Sequence, residues 1–388
     1  MSAVTVYVTD EFLQTILSVE NLLLGLTFLV RAQIFQGNLD TCIEECQLAH
    51  TVGNDVPLID SVSKDGWIWP ELLACTALVG FTYHLNRIER LTLLIFLLVD
   101  FAVPGFYDKP EEHRANSLAL QRDAYAAYCS ALAYTLSGQQ EYGEKACYFL
   151  NAWASTNEKY SEHDGVLVMT YSGSAFLMAA ELMADDPLWS NKEKKDFRKW
   201  VKRIYQHAAN TIRVHQNNWA DWGRFGSLLA ASFLNEKKEV AENVRLIKSD
   251  LFHKIATDGS MPEETRRGGN GIWYTYFSLA PMTGACWLVY NLTGENLFAL
   301  EQDGTSIKKA LDYMAYYNKH PKEWKWDKNP NTGKNEVWPE NLLEAMANLY
   351  NDNYYVEYVK GKRPIIYRNH HFCWTFPTLM PTSFENYQ

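Results

Sequence analysis

Apolar positions recur at helical spacing along most of the chain from about residue 104 onward. Breakers such as Ser137-Gly138 and Asn329-Pro330 separate the periodic segments. The pattern predicts helices over residues 116–137, 141–157, 168–185, 190–213, 214–234, 238–256, 270–293, 303–317 and 338–351. Strand-like alternation of any length is absent from the sequence before the tail, so we predict an all-α fold.

Long paired helices without a βαβ rhythm indicate stacked helical hairpins. Because the sequence contains no identical repeat, we predict an α/α toroid, or incomplete barrel, rather than a regular solenoid. The aromatic tail, residues 367–381, is expected to cap its core. Residues 105–388 would form this domain, whereas residues 1–104 give weak helical signals, at 15–29 and 72–85, and form a separate helical segment or part of the toroid.

Composition narrows the class of ligand. The chain has 388 residues, of which 47% are hydrophobic and 14% aromatic. This is ample for a large core, and also suits a groove that stacks on sugar rings. The net charge of −10 argues against a nucleic-acid partner. An acidic ligand would therefore need a local cluster of cationic side chains.

Cysteine usage and apolar runs give few further signals. The only close cysteine pair is Cys42 and Cys46, and no second pair completes a zinc site, so we predict buried free thiols, no metal and no cofactor. The apolar run at 22–30 lies late for a signal peptide, and the run at 91–103 is too short to span a bilayer. We expect a soluble monomer without membrane association, secreted or periplasmic although a standard signal peptide is not recognisable.

Polar side chains suited to an acidic ligand concentrate in residues 215–281. The pair Asn217-Asn218 either caps a helix or donates hydrogen bonds to a carboxylate. The pair Arg266-Arg267 is followed by two glycines, which permit close approach of the backbone to a ligand. Guanidinium is the natural planar partner of a carboxylate, so we favour Arg267 as a binding residue over a solvated surface arginine.

Tyr274 follows Arg267 closely and is the candidate proton carrier. A phenol beside a cationic arginine is expected to have a lowered pKa, which would let it exchange a proton with substrate. His215 is a further catalytic candidate, although a lone histidine at this place slightly favours a structural role. Glu264 and Asp221 are expected to be carboxylates that orient arginine or tryptophan side chains.

Further substrate contacts are expected from a polar loop at 106–114, which resembles a lid, and from groove residues near helix ends. Together with neighbours of the central motifs, these candidates are Tyr107, Lys109, His113, Arg114, Trp153, Tyr171, Asn217, Trp219, Glu264 and Arg266.

Several motifs together carry a family likeness. Asn217-Asn218, the turn Asp-Gly-Ser-Met-Pro at 258–262, Glu264-x-x-Arg267-Gly268 and Tyr274-x-x-Phe277-x-Leu279-x-Pro281 resemble the alginate lyase superfamily. The likeness covers roughly residues 104–388. It implies an α/α toroid that cleaves polyuronates by β-elimination, with an acidic polysaccharide as the substrate.

The resemblance also implies residue roles. By position, Asn218 and Arg267 resemble the residues that neutralise the substrate carboxylate, and Tyr274 resembles the proton donor. Mannuronate-cleaving members follow the paired asparagines with a histidine, and here that position is Trp219. A second motif arginine is replaced by Asn270. This resembles a divergent branch acting on glucuronan or mixed polyuronates, with His215 or His113 in reserve as the base.

Two other function classes remain open at this point. An inverting glycoside hydrolase on a toroid would use Glu264 and Asp221 as acid and base. A non-catalytic polysaccharide-binding protein would use the aromatic groove alone.

Overall fold

The computed structural model describes residues 99–333, 336–382 and 384. Its helices are α1 (Pro110–Ser137), α2 (Gln140–Thr156), α3 (Gly165–Leu182), α4 (Asn191–Trp200), α5 (Gln206–Ile212), α6 (Asn218–Leu234), α7 (Lys237–Asp250), α8 (Pro262–Thr265), α9 (Gly271–Thr293), α10 (Ile307–Lys319), α11 (Glu340–Tyr350) and α12 (Asn353–Val359). The predicted helices at 15–29 and 72–85, the Cys42–Cys46 pair and the apolar run at 22–30 lie outside these residues. The domain boundary at residue 104 stays a prediction.

Successive hairpins pack as an α/α toroid, which confirms the predicted fold class. Helices α1, α3, α6 and α9 each contact the next in that order, while α2 packs on α1, α5 on α3 and α6, α7 on α6, and α10 on α9. Within the first set, helices α3 and α9 are buried on nearly all sides. In the outer helix α7, by contrast, only Asn243 and Ile247 are buried. An inner layer of apolar helices thus carries an outer layer of amphipathic ones.

Two helices have bounds that differ from those predicted by the apolar period. The predicted helix at 190–213 is divided by a π-helical turn, Val201–Tyr205, between α4 and α5. Helix α6 begins only at Asn218, because the side chain of Asn217 accepts a hydrogen bond from the backbone N–H of Trp219 at 3.2 Å. This cap places Asn218 in the first helical turn, at the head of an inner helix.

Two three-residue strands, β1 (Asp100–Ala102) and β2 (Lys159–Ser161), pair in parallel with Asp100 opposite Lys159. The periodicity analysis does not predict them, since three residues are too few for an alternation to be recognised. The pair matters for the cavity because each strand leads directly into a loop, at 103–109 after β1 and at 162–164 after β2.

The aromatic tail caps the core, as predicted. Phe372 and Phe376 are buried, and the indole N–H of Trp374 donates to the hydroxyl of Thr283 on α9 at 2.9 Å. The amide of Asn341 on α11 donates to the carbonyl of Trp374 at 3.1 Å. The tail therefore joins α9 to α11 across the end of the barrel.

Two expectations about apolar chemistry can be compared with the described residues. Cys129, Cys147, Cys286 and Cys373 are buried free thiols, as expected. Helix α3 is long and apolar enough to cross a membrane by length and composition alone, but 78% of it is buried inside the protein. It also packs against α1, α5 and α6, which accounts for its apolar surface.

Candidate active site

A cavity of about 1110 Å³ opens where the loops after β1 and β2 meet the first turns of α1, α6 and α9. Most of the residues singled out from the sequence line it, namely Tyr107, His113, Arg114, Tyr171, His215, Asn217, Asn218, Trp219, Arg267 and Tyr274. Residues far apart in the chain are thus brought to one place. The volume suits several sugar residues rather than a small metabolite.

Four of the predicted contact residues do not line this cavity. Trp153 is buried in the core, where its indole N–H donates to Asp123 at 2.9 Å. Arg266 pairs with Glu263 at 2.5 Å on the surface, and Lys109 pairs with Glu112 at 3.0 Å. The structure does not bring these three side chains to the cavity, because Trp153 packs in the core and the two cationic side chains are held in local ion pairs. Glu264, the fourth, lies behind the cavity wall.

One wall of the cavity is a hydrogen-bonded cluster of two phenols and a guanidinium. The hydroxyls of Tyr107 and Tyr274 lie 2.6 Å apart, and Arg267 donates from Nη2 to the Tyr107 hydroxyl at 2.8 Å. The guanidinium carbon also lies 4.3 Å from the centre of the Tyr274 ring. The left-handed turn at Gly268, with φ of 61°, lets Arg267 and the first turn of α9 face the same space.

The pKa of Tyr274 is raised well above its usual value, contrary to the expectation from the sequence. Burial is the main cause, and the hydrogen bond with Tyr107 adds to it, while the positive charge of Arg267 acts in the opposite direction. The guanidinium alone was visible in the sequence, but the desolvation of the phenol was not. Tyr274 therefore keeps its proton at neutral pH in the unliganded cavity.

A second wall of the cavity is backed by a buried amide–carboxylate pair. Glu264 accepts hydrogen bonds from the backbone N–H of Asn218 at 2.7 Å and from its side-chain Nδ2 at 2.8 Å. Both residues are only 1% exposed, and Asn218 Oδ1 is buried without a hydrogen-bond partner among the residues that the structure describes. Burial, with the nearby Asp221, raises the pKa of Glu264 to about 7. Glu264 thus orients Asn218, rather than an arginine or a tryptophan.

Asp221 belongs to the core and not to the cavity. Its carboxylate accepts from Lys254 Nζ at 2.6 Å and from the hydroxyl of Ser278 on α9. Lys254 also donates to the carbonyl of Asn217 at 3.1 Å, so this buried ion pair braces the start of α6. With Asp221 engaged in this way, the acid–base pair required by the hydrolase alternative does not face a common space.

A histidine that sequence reasoning missed lines the cavity beside Trp219. The ring of His163 lies 5.6 Å from that indole, and its Nδ1 is 2.7 Å from Asp164 Oδ1. Since a carboxylate only accepts, Nδ1 carries the hydrogen of this bond, and Nε2 is the ring nitrogen that Asp164 does not hold. His215 also contacts Trp219, at 5.3 Å between rings. Only the tertiary structure reveals His163, because it reaches the site from the loop after β2.

His113 has a different environment. Its Nδ1 lies 2.9 Å from the carbonyl of Pro104 and 3.3 Å from Asp164 Oδ2. The backbone N–H of Phe106 donates to the same carboxylate at 2.8 Å. Although buried, Asp164 has a lowered pKa because these donors outweigh its desolvation. His113 and Asp164 therefore hold the loop that carries Tyr107.

The family model described as "Alginate lyase" matches residues 103–324, more than half of the chain. Similar solved structures include an alginate lyase from Bacteroides ovatus, with a TM-score of 0.57 and 19% identity over 67% of this chain and 80% of that one. A second similar structure is a tyrosine variant of alginate lyase A1-III complexed with tetrasaccharide. Its TM-score is 0.61, with 15% sequence identity over 73% of this chain and 83% of that one. Because the identities are only 19% and 15%, these similarities show that the chain shares the fold of the two structures.

A curated protein also matches a part of the sequence. The bile salt-activated lipase of Bos taurus is 33% identical over 107 residues, which are 26% of this chain. The chain spans 17% of the length of that relative. So short a match carries no argument about activity.

Proposed function

Because the chain belongs to the alginate lyase family and is a polysaccharide lyase, we propose that it cleaves 4-linked polyuronates, mannuronan or glucuronan, by β-elimination. The observation that carries this proposal is the cluster of Tyr107, Arg267 and Tyr274, which lines the same large cavity as Asn218. A guanidinium, an amide and a phenol are the groups that this reaction needs.

The first step is neutralisation of the uronate carboxylate. Arg267 has its planar guanidinium on the cavity wall, and its present bond to the Tyr107 hydroxyl is partly exposed to solvent. A substrate carboxylate would replace that neutral acceptor with a charged one, which forms a stronger hydrogen bond. Asn218 would donate to the same carboxylate from the other wall. Withdrawing charge from the carboxylate makes the C5 proton of the sugar more acidic.

The second step moves one proton between two atoms of the substrate. Tyr274, as phenolate, would take the C5 proton; the C4–C5 double bond would form as the C4–O4 bond breaks. The departing O4 would then receive the proton from the Tyr274 phenol. Because burial raises the pKa of Tyr274, the phenolate is scarce at neutral pH. Turnover should therefore rise with pH on the alkaline side.

The stereochemistry follows from using one residue as base and acid. In 4-linked β-mannuronate and β-glucuronate the C5 proton and O4 lie on the same face of the ring, so one phenol reaches both. In guluronate they lie on opposite faces, so a second group is needed. Trp219 stands where mannuronate-cleaving relatives carry histidine, which supports the single-tyrosine scheme.

Ultraviolet absorbance tests the proposal against its rivals. The C4–C5 double bond of the product absorbs, whereas a hydrolase makes no such bond and a binding protein makes no product. The protein would be incubated with polymannuronate, glucuronan and polyguluronate, with Tyr274→Phe as the matched control. We expect absorbance to grow on the first two polymers. A protein that binds them without any absorbance change is a binding module.

The proposed steps use only side chains of this chain. We therefore expect full activity after dialysis against a chelator, measured by the same absorbance. We also expect a monomer by size-exclusion chromatography. Because polyuronates are encountered outside the cytoplasm, we propose a secreted or periplasmic location, to be tested by cell fractionation.

A further inference from the structure

We propose that Glu264 is a positioning residue that acts through Asn218, and that substrate binding drives it into its protonated form. In that form it would turn the Asn218 amide so that the NH2 group faces the uronate carboxylate. The inference rests on the proposed function and adds a linked proton to it.

The two hydrogen bonds between Asn218 and Glu264 leave the amide in an orientation that does not suit an anionic ligand. Ionised Glu264 only accepts, so it holds both N–H groups of Asn218 that point toward it, at 2.7 and 2.8 Å. The atom left over is Asn218 Oδ1, which is buried and has no hydrogen-bond partner within the described part of the chain. Such an acceptor is costly when buried, and it repels a carboxylate.

Protonation of Glu264 removes this mismatch. A neutral carboxyl group has one O–H donor and one free acceptor oxygen. The acceptor can retain the backbone N–H of Asn218, while the O–H donates to Oδ1 after a half-turn of the amide. The Nδ2 group then takes the former place of Oδ1 and is free to donate two hydrogen bonds. Asn218 becomes a donor toward the anion without any movement of the helix.

The charges around Glu264 favour the same change. Asp221 on α6 disfavours its ionised form, Lys254 after α7 favours it, and Arg267 and Tyr274 lie on the cavity side. Because of burial, the pKa of Glu264 is already about 7 in the empty cavity. A substrate carboxylate adds a second negative charge next to it. Binding should therefore raise this pKa further and take up a proton above neutral pH.

The sign of the pH dependence follows by linkage. Below about pH 7 the carboxyl is already protonated, so binding takes up no proton and its affinity is constant. Above that pH each binding event must first add a proton, so the affinity falls by up to about tenfold per pH unit. A purely structural glutamate would leave the affinity unchanged across this range.

Calorimetry on the Tyr274→Phe protein isolates this effect, because substrate binds without being cleaved. The probe is a mannuronate tetrasaccharide, titrated at pH 6 and pH 8 in buffers whose ionisation enthalpies differ. We expect uptake approaching one proton per tetrasaccharide at pH 8 and close to none at pH 6. Infrared difference spectra should show the carbonyl stretch of a protonated carboxyl group on binding at pH 8.

Glu264→Gln in the same background is the decisive variant, because glutamine imitates the protonated carboxyl in shape and in hydrogen bonding. Its binding should be as tight at pH 8 as at pH 6, with no proton uptake and no new infrared band. Glu263→Gln is the matched control: this neighbouring carboxylate lies on the surface beside Arg266, so its loss should leave uptake unchanged.

The outcomes separate this inference from the proposed function. Tight binding without proton uptake at pH 8 overturns the inference but leaves the lyase proposal standing. Uptake that persists in Glu264→Gln also overturns it and assigns the proton to a histidine of the cavity. If Glu264→Gln does not fold, the infrared band and the buffer dependence of the parent protein decide alone. An absence of binding at any pH contradicts the proposed function itself.

Discussion

The two walls of the cavity bring similar chemistry to the substrate in different physical settings. On one wall Tyr107 is 63% exposed, and its hydroxyl bonds to Tyr274 and Arg267 lie within reach of solvent. On the other wall Asn218 and Glu264 are each 1% exposed. Open hydrogen bonds can be exchanged for bonds to a ligand at little cost, whereas a buried donor or acceptor that loses its partner must gain another one at once. In the proposed function the open wall binds the carboxylate through Arg267 and moves the proton through Tyr274, while the buried wall contributes an amide that Glu264 orients.

The largest effect should come from removing the phenol of the open wall. Tyr274→Phe keeps the ring over which Arg267 lies but deletes the proton carrier, so we expect turnover to fall by roughly 1000-fold or more. Binding of the tetrasaccharide should remain within a few-fold, as measured by calorimetry. Near-normal absorbance growth in this variant would remove Tyr274 from the mechanism.

Neutralisation of the substrate carboxylate can be tested by changing the donor on each wall and by changing the substrate. Arg267→Ala and Asn218→Ala should each lower turnover by about 100-fold, the scale of losing one stabilising donor. Polymers with esterified carboxyl groups should be affected much less by these changes, because they carry no charge to neutralise. Loss of thermal stability with unchanged specific activity would contradict the assignment. Arg267→Lys retains the charge and separates charge from the planar geometry of guanidinium.

Preference among the three homopolymers tests whether the open wall works alone. We expect polymannuronate and glucuronan to be cleaved faster than polyguluronate, on the order of tenfold or more, since Tyr274 reaches one face of the ring. Equal rates would contradict the single-tyrosine scheme. His163→Asn would then be the first variant to examine, because His163 lines the cavity beside Trp219 and Asp164 orients its ring. His215→Asn and His113→Asn complete the set.

The smallest effects are expected away from both walls. Arg266 and Lys109 are held in surface ion pairs with Glu263 and Glu112. Arg266→Ala and Lys109→Ala should each change kcat/KM by less than about twofold, because exposed pairs of this kind contribute little. A large loss of activity in Arg266→Ala would show that the adjacent arginines share the substrate.

The candidate site was only partly predictable. The motif residues Asn218, Arg267 and Tyr274 were predicted to act together, and the structure places all three on one cavity. Trp153 was misassigned because an aromatic residue near a helix end has the same appearance in the sequence whether it faces a groove or the core. His163 was missed because no local signal connects the loop after β2 with the start of α6.

Sequence by itself determined the all-helical architecture, since the apolar period and the breakers are properties of consecutive residues. The cap of α6 is also a local feature, because Asn217 bonds to Trp219 only two positions away, although the apolar period alone predicted a start at residue 214. The state of each ionisable group was decided by the tertiary structure alone. The sequence predicts the same role for Glu264 and Asp221. In the structure, however, Glu264 is buried against the neutral amide of Asn218, and Asp221 is buried against Lys254. Desolvation and the charge of the partner arise from distant parts of the chain, and these two quantities set the proton chemistry of the cavity.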